Sequence, residues 1–283
     1  MKKGDIKRKH HQRQSPAKPM LRRAGSVVIF IFFTLLILSS LTYSRNTLWS
    51  SETIIWADTV EHSPMKPRPL SSLGYAYFTE GRFERAFKEY RRALKIDPSY
   101  AGARVNIASS LYRLGRFEEA MAEASEALIL IPDSASLYVH LGLSQMALGH
   151  YSEAVSSLED AVAIEPRQAE FRVNLGRAYV KASRTDEAIA SYLRAIEIEP
   201  RVYLAHNNLA NIYLSIGRTA EAVEGYNRAI QLRPDFLDGY INLAIAYLKT
   251  GHRVDAKREI SIAVSLAPRD RRVLELKKIL DGG

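Results

Sequence analysis

Four asparagines, Asn106, Asn174, Asn208 and Asn242, fall on one series with a 34-residue step, and Ser72 and His140 fill its other places. A primary amide carries two N–H donors and a carbonyl acceptor, the same complement as a peptide group. A row of such side chains can pair with the main chain of an extended polypeptide without selecting its sequence. It can equally bond to neighbouring parts of its own chain, and the spacing leaves both readings open. Bond-breaking chemistry has no comparable signature. There is no G-x-x-x-x-G-K-[ST], no G-x-G-x-x-G after a strand, no H-E-x-x-H and no G-x-S-x-G. The absence of cysteine removes thiol nucleophiles, disulfide scaffolds and Cys-ligated metals together. His140, His150, His206 and His252 share no ligand spacing. A non-enzymatic protein with no cofactor and no metal is therefore expected.

The elements that would position the amides are written in the same 34-residue interval. Pro98, Pro132, Pro166, Pro200, Pro234 and Pro268 are each 34 residues from the last. Small residues recur in step with them. Ala86, Ala120, Ala154, Ala188, Ala222 and Ala256 form one column, and Ala93, Ala127, Ala161, Ala195, Ala229 and Ala263 another. A third column reads Gly74, Ala108, Gly142, Gly176, Ala210, Ala244, and a fourth Gly81, Gly115, Gly149, Ser183, Gly217, Gly251. Small side chains let two helices approach closely, glycine allows the tight reversal between them, and proline stops the second helix. Apolar residues between these marks recur at helical spacing, as in Leu73 and Tyr77, then Phe83, Ala86, Tyr90, Ala93 and Leu94. Each unit is a helical hairpin.

This pattern resembles the tetratricopeptide repeat (TPR) family, most closely in Leu141-Gly142 through Pro166 and Leu175-Gly176-x2-Tyr179 through Pro200. The resemblance implies an all-α fold, a right-handed superhelical solenoid of antiparallel helix pairs. Six repeats are expected at 67–100, 101–134, 135–168, 169–202, 203–236 and 237–270, with a cap helix at 271–283 carrying Val273, Leu276, Ile279 and Leu280 on one stripe. The lattice extends backwards into 45–66, where Trp56, Thr59, Val60 and Pro64 match a degenerate half-repeat. In this family the first helix of each hairpin lines a concave groove. That places Asn106, Asn174, Asn208 and Asn242 there, with Arg177 and Asn211 in a second column and Arg113 and Lys181 in a third. The carboxylate clamp of chaperone-binding members wants a lysine one position before the asparagines. Here that column reads Ser71, Val105, Val139, Val173, Asn207, Ile241, so no such clamp is expected. Tyr77, Tyr179, Tyr213 and Tyr247 read as packing within repeats.

The formal charge of +9 is unevenly spread: residues 1–23 hold nine of the 40 basic side chains and one acid, Asp5, leaving a body close to neutral. A nearly neutral body leaves little excess for a nucleic-acid patch. The 21 uncharged residues from Ala24 to Ser44 would form a helix about 31 Å long, matching a bilayer core of about 30 Å. The expected order is a basic cytoplasmic tail (1–23), a transmembrane helix (24–44) and then the solenoid. The excess of Lys and Arg before the span keeps the N-terminus inside and sends the solenoid across. The expected location is a bacterial inner membrane with the repeats in the periplasm.

Residues Arg45-Asn46, Trp49, Glu52, Trp56, Asp58, Ser63-Pro64 and Arg68 before Leu73-Gly74 also resemble the junction in polytopic proteins with TPR tails related to protein O-mannosyltransferases. The many preceding spans of those proteins are missing, so transferase activity is not carried over. The leading expectation is a membrane-anchored scaffold that binds an extended peptide or partner protein in its groove. An accessory subunit of a membrane glycosyltransferase or envelope assembly system and a cytosol-facing import-type receptor are the alternatives.

Overall fold

The computed structural model describes residues 32–40 and 51–282. The chain divides into two compact units, Met1–Thr59 and Val60–Gly283. The first unit contains helix α1 at residues 32–40 and most of α2 (Glu52–His62). Nine helical residues rise only about 13 Å. Among the described residues no helix is long and apolar enough to cross a membrane. This overturns the expected placement of the chain in an inner membrane through residues 24–44. Residues 24–31 and 41–44 of that stretch lie outside the described residues, as do the basic tail and Trp49. An uncharged run in the sequence measures apolar content alone, and among the described residues the charge asymmetry around it has no span to orient.

The second unit is helical throughout its described residues. First helices α3 (Pro67–Thr79), α5 (Ala101–Arg113), α7 (Ala135–Ala147), α9 (Ala169–Lys181), α11 (Tyr203–Ser215) and α13 (Leu237–Lys249) are each 13 residues long. They alternate with 14-residue second helices α4 (Phe83–Ile96), α6 (Phe117–Leu130), α8 (Tyr151–Ile164), α10 (Thr185–Ile198), α12 (Thr219–Leu232) and α14 (Arg253–Leu266). The two alanine columns are the fully buried hinges of this packing, every member with zero exposure. The third small column works with the residue opposite it on the second helix. A Cβ added to Gly74 would stand 2.7 Å from the Tyr90 ring, and one added to Gly176 would stand 2.6 Å from the Tyr192 ring. Glycine there makes room for a fully buried tyrosine, and Gly142 does the same for Leu158.

The turn between the two helices is a left-handed cap. Gly81 has φ +75°, its N–H donates to the Phe78 carbonyl at 3.0 Å, and the Arg82 N–H donates to the Tyr77 carbonyl at 2.9 Å. Ser183 occupies the same position with φ 60°, making the same pair of bonds to Val180 and Tyr179 without glycine's freedom. Each second helix ends two residues before a column proline, whose ring disfavours helical backbone in the residue preceding it. Four proline carbonyls then accept a bond from a side chain six residues on. Arg104 donates to the Pro98 carbonyl, Arg172 to that of Pro166 and Tyr240 to that of Pro234, while a His206 ring nitrogen lies 3.1 Å from that of Pro200. These bonds tie the loop between hairpins to the start of the next first helix.

First helices touch not only their own partners but the first helices of adjacent hairpins, from α3 to α5 and onward to α13, making one continuous wall. Helix α15 (Arg271–Asp281) closes the far end. The Asp270 side chain caps it by accepting from the Arg272 and Val273 N–H groups. Val273 and Leu280 are buried against the last hairpin and Leu276 is half-buried. Ile279, expected on the same stripe, is 58% exposed.

Candidate functional site in the inner groove

The amide series lies on the wall of first helices, and the structure divides it. Asn174 is buried, and its Oδ1 accepts from an Arg177 guanidinium N–H at 3.3 Å. Asn208 and Asn242 are joined through Asn207, a neighbour outside the expected series. The Asn207 amide donates to Asn208 Oδ1 at 3.2 Å, and the Asn242 amide donates to Asn207 Oδ1 at 3.0 Å. Asn106 has no side-chain bond among the described residues. The C-terminal part of the ladder thus braces the wall itself, one of the two possibilities the spacing left open.

His140 takes the place of an amide on α7. Its ring is half-buried, but Nδ1 is sealed from solvent and has no hydrogen-bond partner. Burial pushes its pKa down to about 4, so the ring is neutral near pH 7.

Four of the eight expected residues meet around one cleft of about 430 Å³: Arg177, Lys181, Asn208 and Asn211. Its apolar lining comes from Leu143, Met146 and Ala147 of α7, Val180 of α9 and Ile212 of α11, with Tyr112 of α5 at one side. Asn106, Asn174, Asn242 and Arg113 do not line it. The Arg113 guanidinium instead lies 4.3 Å from the Phe83 ring centre, a cation–π contact with the preceding hairpin. Leu143 and Ala147 stand in the same 34-residue columns as Arg177 and Lys181, whereas Met146, Val180 and Ile212 lie outside the expected columns, although a signal existed. Met146 and Val180 lie three residues after Leu143 and Arg177, and a three-residue step keeps the same helix face.

The polar groups of the cleft have a common character. Tyr226 donates its hydroxyl to Asn211 Oδ1 at 2.7 Å, which fixes the amide and leaves its N–H₂ as a donor. The Ser215 hydroxyl is engaged with the Ile212 carbonyl at 2.7 Å. Arg177 keeps guanidinium donors beyond the one given to Asn174, and Lys181 has no ion-pair partner among the described residues. No Asp or Glu lines the cleft.

Outside the groove the pattern reverses. At the turns, Arg116 pairs with Glu119, Arg184 with Glu187 at 2.9 Å, and Arg218 with Glu221, each three residues on. The arginine hydrogen bonds hold all three carboxyls below the usual carboxylate range. The guanidinium groups of Arg82, Arg184 and Arg218 also sit 4.6, 4.6 and 4.2 Å above the rings of Tyr77, Tyr179 and Tyr213. Each of these ring contacts lies within one hairpin, while the Tyr179 hydroxyl also donates to Glu159 of the preceding hairpin at 2.6 Å.

Repeated antiparallel hairpins with one helix of every pair facing a shared groove define the class of helical-repeat solenoids. Family models for the tetratricopeptide repeat match residues 140–201, 174–235 and 214–280, and a TPR repeat model matches 74–115. The chain belongs to the tetratricopeptide repeat family. Similar solved structures include a chain of the APC/C hetero-tetramer Cut9–Hcn1, at 20% identity over 83% of this chain and 46% of that one, with a TM-score of 0.72. The thermophilic TPR protein TTC0263 of Thermus thermophilus is 27% identical over 64% of this chain and 99% of its own, with a TM-score of 0.57. The TPR protein YrrB is 22% identical over 67% of this chain and 97% of its own, with a TM-score of 0.50. The likenesses to Cut9–Hcn1 and YrrB concern the fold alone, and this chain spans less than half of the Cut9–Hcn1 chain it matches. No curated protein matches the chain.

Proposed function

We propose that the protein is a protein-binding scaffold whose six repeats, residues 67–270 with a cap at 271–283, hold an extended peptide or a peptide-like segment of a partner protein in the inner groove. The observation that carries this reading is the cleft of about 430 Å³ on the wall of first helices, with half-buried and exposed apolar side chains beside oriented donors. Apolar pockets with a few fixed polar groups are the usual form of a ligand site. The structure called YrrB is described as having an unusual peptide-binding site, and its likeness to this chain extends to the fold.

The residues assigned to contact the ligand are Arg177, Lys181 and Asn211, with Asn208, Asn174 and Asn242 holding the wall in shape and Asn106 open to a ligand farther along. The test is partner capture by the whole chain carrying Lys181→Ala and Val180→Ser, two side chains with no hydrogen bond or ion pair in the fold among the described residues. Capture is expected to fall while helix content and melting temperature stay unchanged. The same partners recovered in the same amounts would contradict the groove assignment.

A further inference from the structure

Resting on that reading, we propose that the groove ligand is an acidic peptide segment in which a bulky apolar side chain is flanked by carboxylates. The apolar residue enters the cleft between Leu143, Met146, Val180 and Ile212, and the carboxylates lie against Arg177 and Lys181.

The inference follows from which hydrogen-bonding roles are still open. Arg177 and Lys181 are four residues apart on α9 and so share a face. Arg177 is oriented by Asn174, with further N–H groups of its planar fork available, and such a fork matches a carboxylate geometrically. Asn211 can only donate once Tyr226 has taken its oxygen. Asn208 Oδ1 already accepts from the Asn207 amide, and Ser215, whose hydrogen goes to the Ile212 carbonyl, keeps a hydroxyl oxygen as the one neutral acceptor among these groups. A site that sets two cations and an amide N–H₂ against a single neutral hydroxyl oxygen and no carboxylate calls mainly for acceptors, and the two facing the cations should carry charge.

The apolar part of the surface narrows the class. Val180 is 44% exposed although it stands between the two cations, and uncovered apolar surface favours a ligand that buries it. A bare polyanion would leave that floor wet. The chain's own basic segment, residues 1–23, has the wrong charge to be the occupant. The paired arginines of the turns sharpen the contrast, because this chain supplies a glutamate three residues after each of Arg116, Arg184 and Arg218 and supplies none in the cleft.

The experiment is fluorescence anisotropy of the full chain with three labelled decapeptides that share a central Phe in a Gly/Ser background and differ in its four neighbours: Glu, Gln or Lys. The Glu peptide should bind at least tenfold more tightly than the Gln peptide and weaken as salt is raised. Arg177→Gln with Lys181→Gln should remove the Glu-over-Gln preference, Arg177→Glu with Lys181→Glu should transfer it to the Lys peptide, and Arg184→Gln should leave it intact. Equal binding of all three peptides by the unaltered chain would overturn the acidic assignment and leave the groove reading standing. Binding of none would overturn both. Displacement of the Glu peptide by an oligo-dT of similar charge would overturn the peptide assignment in favour of a general polyanion site.

Discussion

The fourth hairpin carries two kinds of cation a few residues apart, and they are treated in opposite ways. At the turn, Arg184 has Glu187 at 2.9 Å and the Tyr179 ring beneath it, so its charge and its planar face are both engaged. On the inner wall, Arg177 leans on a neutral amide and Lys181 has no carboxylate beside it among the described residues. The turn arrangement recurs at Arg116 and Arg218, as expected of a device that shapes each hairpin. Lys249, at the Lys181 position of the sixth hairpin, also lacks an ion pair among the described residues, but only Arg177 and Lys181 stand beside the cleft. A cation neutralised within the fold has little left to offer a partner, whereas one left open can recruit an opposite charge.

The most severe way to break this comparison is to separate the two helices that display it. Gly176→Val would drive a branched side chain into Tyr192, which is fully buried and cannot swing aside. Overpacking of this kind costs about 1–3 kcal/mol. Denaturant unfolding should show that loss, and the cleft should lose ligand affinity along with it because Tyr192 is part of its lining.

A smaller effect comes from His140, a third ionisable group on the same wall. Its folded pKa of about 4 lies below the value of about 6.5 expected when unfolded. Between those values the unfolded chain binds the extra proton, so this group's contribution is present above about pH 6.5 and is lost as the pH falls toward 4. Unfolding free energy should drop by about 1–2 kcal/mol near pH 5 on this account, and His140→Asn, which restores the amide of the neighbouring repeats, should remove that component. A pH profile identical in the two proteins would show that the ring is solvated after all.

The smallest effect belongs to the turn seam. Arg184→Ala removes an exposed pair of the kind that contributes little. Its melting temperature should stay within about 2 °C of the unaltered chain, and binding of a Glu-flanked peptide should not change. A large change in that binding would mean that the seam, not the groove, supplies the recognising charge.

The fold was legible because its constraints are local and repeated. A proline, a turn glycine and two small residues define a hairpin by sterics, and each constraint returns every 34 residues from Ala86 to Pro268. The site was only partly legible because an amide's partner is a matter of geometry. Asn106, Asn174, Asn208 and Asn242 share a column, yet Asn207, one position away, bonds two of them and directs part of the ladder into the wall. Arg113 and Arg177 likewise look alike in the lattice. The side chain of Arg113 folds onto Phe83, while that of Arg177 stays at the cleft. The uncharged run at 24–44 misled for a different reason, since apolar composition was read as a spanning helix and the described helix there covers only residues 32–40.

The central claim is that ligand enters between Met146, Val180 and Ile212 on the inner wall. The most direct measurement places a photo-crosslinking residue at Val180 and, in a separate protein, at Ile129, which is 81% exposed on a second helix away from that wall. With the Glu-flanked peptide, the account predicts an adduct at position 180 that unlabelled peptide competes away, and none at position 129. Equal labelling at both positions, or labelling at 129 alone, would contradict it.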